Sequence, residues 1–158
     1  MHISIYFSLT SLLLLFVFVG RVQPVVFDVN NYGGKADGNA WKEACSATGS
    51  NRVVVPKGTY SIGLTDLNGP CKGAMELQVR GTLVSPINPS EHTKDNWIIF
   101  AYIDRFTLSG GGTFDGQGQV AWKQNNCGRN PKCKRFPVSL WFDFITNSVI
   151  QNILKIFP

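Results

Sequence analysis

Ten carboxylates are available to this chain of 158 residues: Asp28, Asp37, Glu43, Asp66, Glu76, Glu91, Asp95, Asp104, Asp115 and Asp143. Cleaving a glycosidic bond would take two of them, one to protonate the leaving oxygen and one to activate water or attack carbon across a sugar subsite. They are scattered, and only Glu91 and Asp95 lie close in sequence, in the exposed-looking stretch NPSEHTKDN. Asp115 in GGGTFDGQG is the most conspicuous, but an Asp-Gly step after a strand reads first as a turn and only second as a ligand contact. Asp104 in YIDRF reads the same way. His92, the only histidine beyond His2, stands in the polar stretch as a surface side chain. No nucleophile elbow gathers Ser, His and acid. The glycine run Gly110–Gly112 lacks the Lys-Ser/Thr that closes a phosphate loop, and Pro89 blocks the one Asn-x-Ser pattern, at Asn88.

Fifteen Lys plus Arg against ten Asp plus Glu give a net charge of +5. Lys132, Lys134 and Arg135 in NPKCKRF form one basic cluster, read either as a solvated loop or as a contact for an acidic polysaccharide. No nucleic-acid-binding module is visible, so nucleic acid is not an expected partner. The cysteines, Cys45, Cys71, Cys127 and Cys133, are even in number, as suits an oxidising compartment. A zinc site would need a CxxC pair or a nearby His, and no metal or other cofactor is expected. Sequence alone allows three pairings. Cys45 with Cys71 and Cys127 with Cys133 are favoured because each closes a local loop rich in Gly and Asn, a closure that stabilises by about 2–4 kcal/mol.

These residues need elements to hold them. The opening MHISIYFSLTSLLLLFVFVGRVQP carries an apolar run from Leu9 to Val19, then Gly20 and Arg21, which reads as a secretory signal over residues 1–23. An N-terminal anchor or a buried segment are the alternatives. Cleavage is expected between Gly20 and Pro24, leaving 24–158 as one unit, secreted to the extracellular space or cell wall and free of the membrane. With 44% hydrophobic and 16% charged residues, that unit is too apolar to be disordered.

Strands are expected around Val25–Val29, in RVVVPKGTYSI (52–62), around Met75–Ser85, in Trp97–Gly116 and in Val138–Ile153. NAWKEACSATG predicts a brief helix with Asn39 as N-cap and Trp41, Ala44 and Cys45 on its apolar side. Short strands separated by Gly, Asn or Asp recur in groups, the grammar of a solenoid whose coils stack only on their neighbours. Runs such as Val53–Val55 and Trp97–Phe100 look buried on both sides or at corners. The expected class is therefore all-β, a right-handed parallel β-helix with a short capping helix, and a sandwich or barrel is the competing architecture.

The segments FDVNNYGGKADG, NAWKEAC, RVVVPKGTY, LNGPCKG, LQVRGTLVSP, FTLSGGGTFDGQGQVAWKQNNC and FPVSLWFDFITNSVIQNI together resemble the N-terminal third of plant polygalacturonases, glycoside hydrolases of family 28 that cleave pectin, especially the pollen type. The resemblance covers nearly all of the chain after the signal. It implies a pectin-lyase-like β-helix, secretion, an acidic polymer of α-1,4-linked galacturonate as substrate, and the two local disulfides. The family's catalytic motifs are an Asn-Thr-Asp, an Asp-Asp, a Gly-His-Gly and an Arg-Ile-Lys. None occurs in this sequence, so no residue inherits a catalytic role. Relatives carry a further Thr- and Asp-rich stretch between the positions of Gly38 and Asn39, and the tail LKIFP reads as a replacement for the next coil. The expectation is an N-terminal portion of such a solenoid, inactive as it stands. A non-catalytic pectate-binding wall protein, with Lys132, Lys134 and Arg135 as contacts, or a fragment without a role, are the alternatives.

Overall fold

Three valines in a row, Val53–Val55, cannot all be buried by a strand with one wet face, whereas a coil with covered corners buries them together. All three are buried in the computed structural model, which describes residues 23–33, 38–86, 95–119, 123, 127–130, 132–133 and 137–157. The expected signal segment, apart from Gln23, lies outside the described residues. In chain order the strands are β1 (Val25–Asp28), β2 (Ser50–Val55), β3 (Thr59–Ser61), β4 (Thr65–Asn68), β5 (Ala74–Val79), β6 (Thr82–Val84), β7 (Asn96–Ala101), β8 (Phe106–Ser109), β9 (Thr113–Asp115), β10 (Val138–Asp143), β11 (Val149–Ile150) and β12 (Lys155–Phe157). A 3-10 turn (Val29–Tyr32) and a helix α1 (Asn39–Ser46) separate β1 from β2.

The strands form three sheets: β1-β2-β5-β8-β11, β3-β6-β9-β12 and β4-β7-β10. Every pairing is parallel. From β2 onward the chain visits the first, second and third sheets in turn and returns to the first one coil further on, the right-handed parallel β-helix that the sequence predicts. Its register runs through the whole stack. Phe27, Val53, Leu77, Leu108 and Ile150 occupy one ladder of the first sheet. Tyr60, Leu83 and Phe114 occupy a ladder of the second, and Leu67, Phe100 and Phe142 one of the third. Phe100 stacks on Phe142 at 5.0 Å between ring centroids and lies 5.1 Å from Phe106, which receives Trp41 edge-on at 5.8 Å. One aromatic chain thus runs from the cap to the last coil.

The cap is α1. Gly38, at φ 84°, precedes it and Asn39 is its first helical residue, so Asn39 is not the N-cap; the left-handed turn at Gly38 already sends the chain into the helix. Trp41 and Ala44 are buried, Trp41 Nε1 donates to the Asn68 carbonyl at 3.1 Å, and Cys45 is bonded to Cys71. The cap is thereby fastened to the corner after β4. Beneath it Asn51 is buried, its Nδ2 donating to the Ala47 carbonyl at 3.0 Å. An apolar cavity of about 40 Å³, lined by Val29, Trp41, Leu67 and Leu83 among others, lies inside the first coil. Its apolar walls and small volume make it a packing gap rather than a ligand site.

The tail differs from expectation: Lys155–Phe157 pairs in parallel with Thr113–Asp115, so it extends the second sheet instead of replacing a coil. β4, in the polar TDLN, is a strand that no hydrophobic run announces.

The triple glycine has a steric cause. Gly110 sits at φ 116° with its missing Cβ aimed into the Val79 backbone, and a Cβ on Gly112 would meet the Gly81 carbonyl at 2.5 Å. Two coils touch backbone to backbone there, and Gly112 N–H donates to the Val79 carbonyl at 2.8 Å. Gly33, also left-handed at φ 85°, has open space around it. Gly110→Ala is therefore expected to destabilise the protein by clearly more than the roughly 1–2 kcal/mol that Gly33→Ala costs, on urea denaturation of both variants. Equal losses at the two sites would refute the close-contact account.

Candidate functional site

Strand alternation sorts the third sheet into two faces. Thr65 and Leu67 of β4, Ile98 and Phe100 of β7, and Leu140 and Phe142 of β10 share the inward face, buried through β4 and β7, with Phe142 stacked on Phe100 yet 38% exposed. The residues between them point outward, giving the ladder Asp66, Ile99, Trp141 and beside it Asn68, Ala101, Asp143. Trp141 is 45% exposed and stands in the middle of β10. Its neighbour Ile99 is half-buried and Asp66 is exposed.

The strand ends of this face differ in character. At the far end the chain turns through Tyr102 after β7 and Phe144 after β10, with φ of 58° and 47°. The left-handed backbone is unusual for aromatic residues. Here the Tyr102 N–H donates to the Asp143 carbonyl at 3.0 Å, and the rings of Tyr102 and Phe144 stack at 5.1 Å, both largely in water. Asp104 organises the rest of the corner. Its Oδ1 accepts from Asn147 Nδ2 and Thr146 Oγ1, each at 2.8 Å, and its Oδ2 faces Arg105 Nε at 3.2 Å. The Asn147 bond, then the Thr146 bond and the Arg105 charge, hold the Asp104 carboxyl below its ordinary pKa of 3.8 against some desolvation.

At the near end, β10 is entered from the long connection 116–137. Lys123, Arg129 and Lys132 are exposed along it. With Lys134 and Arg135 the connection holds five basic residues and no acidic one, so the whole net charge of +5 resides there and the rest of the chain is balanced. The Cys127–Cys133 disulfide, Cα to Cα 5.1 Å, pins its tip, and Lys132 N–H donates to Asn130 Oδ1 at 3.0 Å. Lys134 and Arg135 themselves lie outside the described residues. His92 and Glu91 do as well.

Both favoured disulfides are present. Asp115 is the turn residue the sequence suggested, its Oδ1 accepting the Gln117 N–H at 2.8 Å. Glu76 is engaged by Arg52 at 2.6 Å and by Ser109 Oγ at 2.7 Å, and Asp28 accepts the Asn30 N–H at 2.9 Å. Asp28, Glu76, Asp104 and Asp115 thus secure caps, ladders and corners. Trp141, Tyr102 and Phe144 were not singled out from sequence. The signal for Trp141 was the pair Trp141-Phe142, since adjacent apolar residues on a strand must face opposite sides.

Residues 45–156 match the family model for Glycosyl hydrolases family 28. A polygalacturonase of Gossypium barbadense is 43% identical over 162 residues, taking in 96% of this chain and 40% of that protein. An exopolygalacturonase of Platanus acerifolia is 42% identical over 139 residues, or 83% of this chain and 37% of its own length. One of Zea mays is 34% identical over 138 residues, 80% and 33% respectively. The chain thus spans about 40% of the length of the Gossypium relative.

The Asp104 corner sets an acid limit. A carboxyl whose pKa is depressed on folding contributes stability that is complete above the ordinary value and lost as pH falls through the depressed one. Thermal melts from about pH 6 to about pH 2 should therefore show Asp104→Asn less stable than the parent at the upper end, with the gap closing on acidification. A gap that stays constant or widens would refute this role for the charge.

Proposed function

We propose, for a chain that belongs to glycosyl hydrolases family 28, that its outward third sheet and basic connection bind α-1,4-linked galacturonate, and that these 158 residues alone hold the polymer without cleaving it. The observation that carries the reading is charge placement. All of the surplus positive charge lies in the disulfide-pinned connection 116–137, which leads directly into β10. A carboxylate polymer is attracted to such a cluster, and Arg and Lys can hydrogen-bond its carboxylates.

Hydrolysis asks for more than binding. An inverting mechanism needs an acid on one side of the ring and a base with its water on the other, and the Asn-Thr-Asp, Asp-Asp, Gly-His-Gly and Arg-Ile-Lys motifs of the family do not occur in this sequence. Asp28, Glu76, Asp104 and Asp115 are committed to structural bonds. The substrate-cleaving activity in the names of the relatives is thus proposed for this chain only as the wider function its fold serves.

Secretion is part of the same reading. The apolar run Leu9–Val19 supports a signal peptide, and no helix among the described residues is long and apolar enough to cross a membrane.

Purified protein should be retained on immobilised polygalacturonate at about 0.01 M ionic strength and released near about 0.15 M, as the Debye length shrinks from ~30 to ~8 Å. It should release no reducing ends from the soluble polymer. A folded protein that passes the column unretained at low salt sinks the binding reading, and reducing-end release sinks the non-cleaving one. Expressed from its own start in a plant secretory system, the chain should reach the medium with a new N-terminus between Gly20 and Pro24. Intact Met1 on a membrane-retained product would refute the signal.

A further inference from the structure

Tyr102 is a large aromatic residue in a backbone conformation that favours something smaller. Its φ of 58° lies in the left-handed region, which glycine and asparagine occupy at least cost. The same corner uses such residues elsewhere. Asn147 takes φ 47°, and the preceding coil passes the level of Tyr102 at Gly69, whose missing Cβ faces the Tyr102 carbonyl. The turn gives no reason for a phenol, and neither does packing. Tyr102 is 56% exposed, and among the described residues no group bonds its hydroxyl. Strain that neither the turn nor the core requires points to function. One face of the ring is stacked on Phe144 at 5.1 Å, so the exposure belongs to the other face and to the edge with the hydroxyl and its two ortho carbons.

A free phenol edge gives up one electron and one proton to an oxidant, and here it has few rivals. All four cysteines are paired as disulfides, and Met75 is 1% exposed. Tyr32 and Tyr60 are half-buried against the core. A Cβ on Gly58 would stand 3.2 Å from Tyr60 Cε2 and 3.3 Å from its hydroxyl, so the reactive edge of that ring lies over the Gly58 backbone. Tyr6 belongs to the expected signal segment, outside the described residues. Trp141 is the other exposed oxidisable ring, at 45%, and an indole radical is itself reduced by a phenol. The charges next to Tyr102 in sequence, Asp104 and Arg105, face each other at 3.2 Å and leave an incoming neutral ring unopposed.

Independently of the galacturonate reading, we propose that Tyr102 is an oxidative coupling site, which a haem peroxidase with hydrogen peroxide joins to a second phenol, on another copy of this chain or on a free phenolic molecule. Each phenol loses one electron and one proton and becomes a phenoxyl radical. The two radicals form one C–C bond between carbons ortho to their oxygens. The hydrogens on those two carbons then move to the oxygens as protons, which restores both aromatic rings and both hydroxyls. One hydrogen peroxide takes up the two electrons and two protons and leaves as two waters. With one reactive phenol per chain, coupling between copies stops at the dimer.

The test treats the purified chain, carrying Tyr6→Phe, with peroxidase and hydrogen peroxide, alone and with an excess of N-acetyltyrosine amide. Reducing gels, dityrosine fluorescence and peptide masses are the readouts. Alone, the chain should give a covalent dimer linked from Tyr102 to Tyr102 and no higher species. With the free phenol, the dimer should give way to a single adduct per chain, at Tyr102. Tyr102→Phe, which keeps a ring on Phe144, should lose both products, and Tyr60→Phe should keep both. Circular dichroism confirms that the variants fold. An adduct at Tyr102 without any dimer keeps the coupling site and overturns a second copy as its partner. The absence of both products from the parent, products from a folded Tyr102→Phe, links mapped to Tyr32, Tyr60 or Trp141, or a ladder of higher oligomers each overturn the proposal.

Discussion

A strand in this molecule finds its backbone partners only in the coil before it and the coil after it. β7 bonds to β4 on one side and β10 on the other, and β5 lies between β2 and β8 in the same way. Each ladder position must therefore accept the residue above and the residue below together, which explains why Val53, Leu77 and Leu108 are all aliphatic and why Phe142 stacks on Phe100, while Phe106 and Trp41 extend that aromatic chain across the interior to the cap. Stability in such a stack is a sum of neighbour terms. In the last described coil Val149, Ile150 and Leu154 are at least half exposed.

The outward face inherits its order from the same constraint. Trp141 stands over Ile99, and Phe144 over Tyr102, because interior pairing fixes which residues share a level. Asp104, Thr146 and Asn147 bond across successive coils for the same reason, and the isolated bridge from Asp104 to Thr146 lies at that level. Surface chemistry here is a by-product of core register.

Much of this was legible in the residues. Short β-branched runs between Gly and Asn located most strands, and the local loops named both cysteine pairs. Asp115-Gly116 declared a turn. What escaped depended on neighbours in space. β4 is polar at Asp66 and Asn68 and becomes a strand because β7 pairs with it. Asn39 has the side chain of an N-cap, yet Gly38 takes the left-handed turn before it. The tail at Lys155–Phe157 joins β9, a partner far back in the chain. Trp141 looked like part of an apolar run until its strand acquired two faces.

The distance along the chain between successive ladder positions grows from Val53–Leu77 to Leu77–Leu108 to Leu108–Ile150, while the ladder itself stays straight. The largest insertions, 85–95 and 116–137, fall between the second and third sheets, whereas the corner from the first to the second sheet needs only 56–58, 80–81, 110–112 and 151–154. Chain length and register are thus independent variables in this fold. Connections on one side can lengthen, change charge or acquire a disulfide without moving a single interior side chain, so what the surface recognises is free to diverge between proteins that keep the same scaffold.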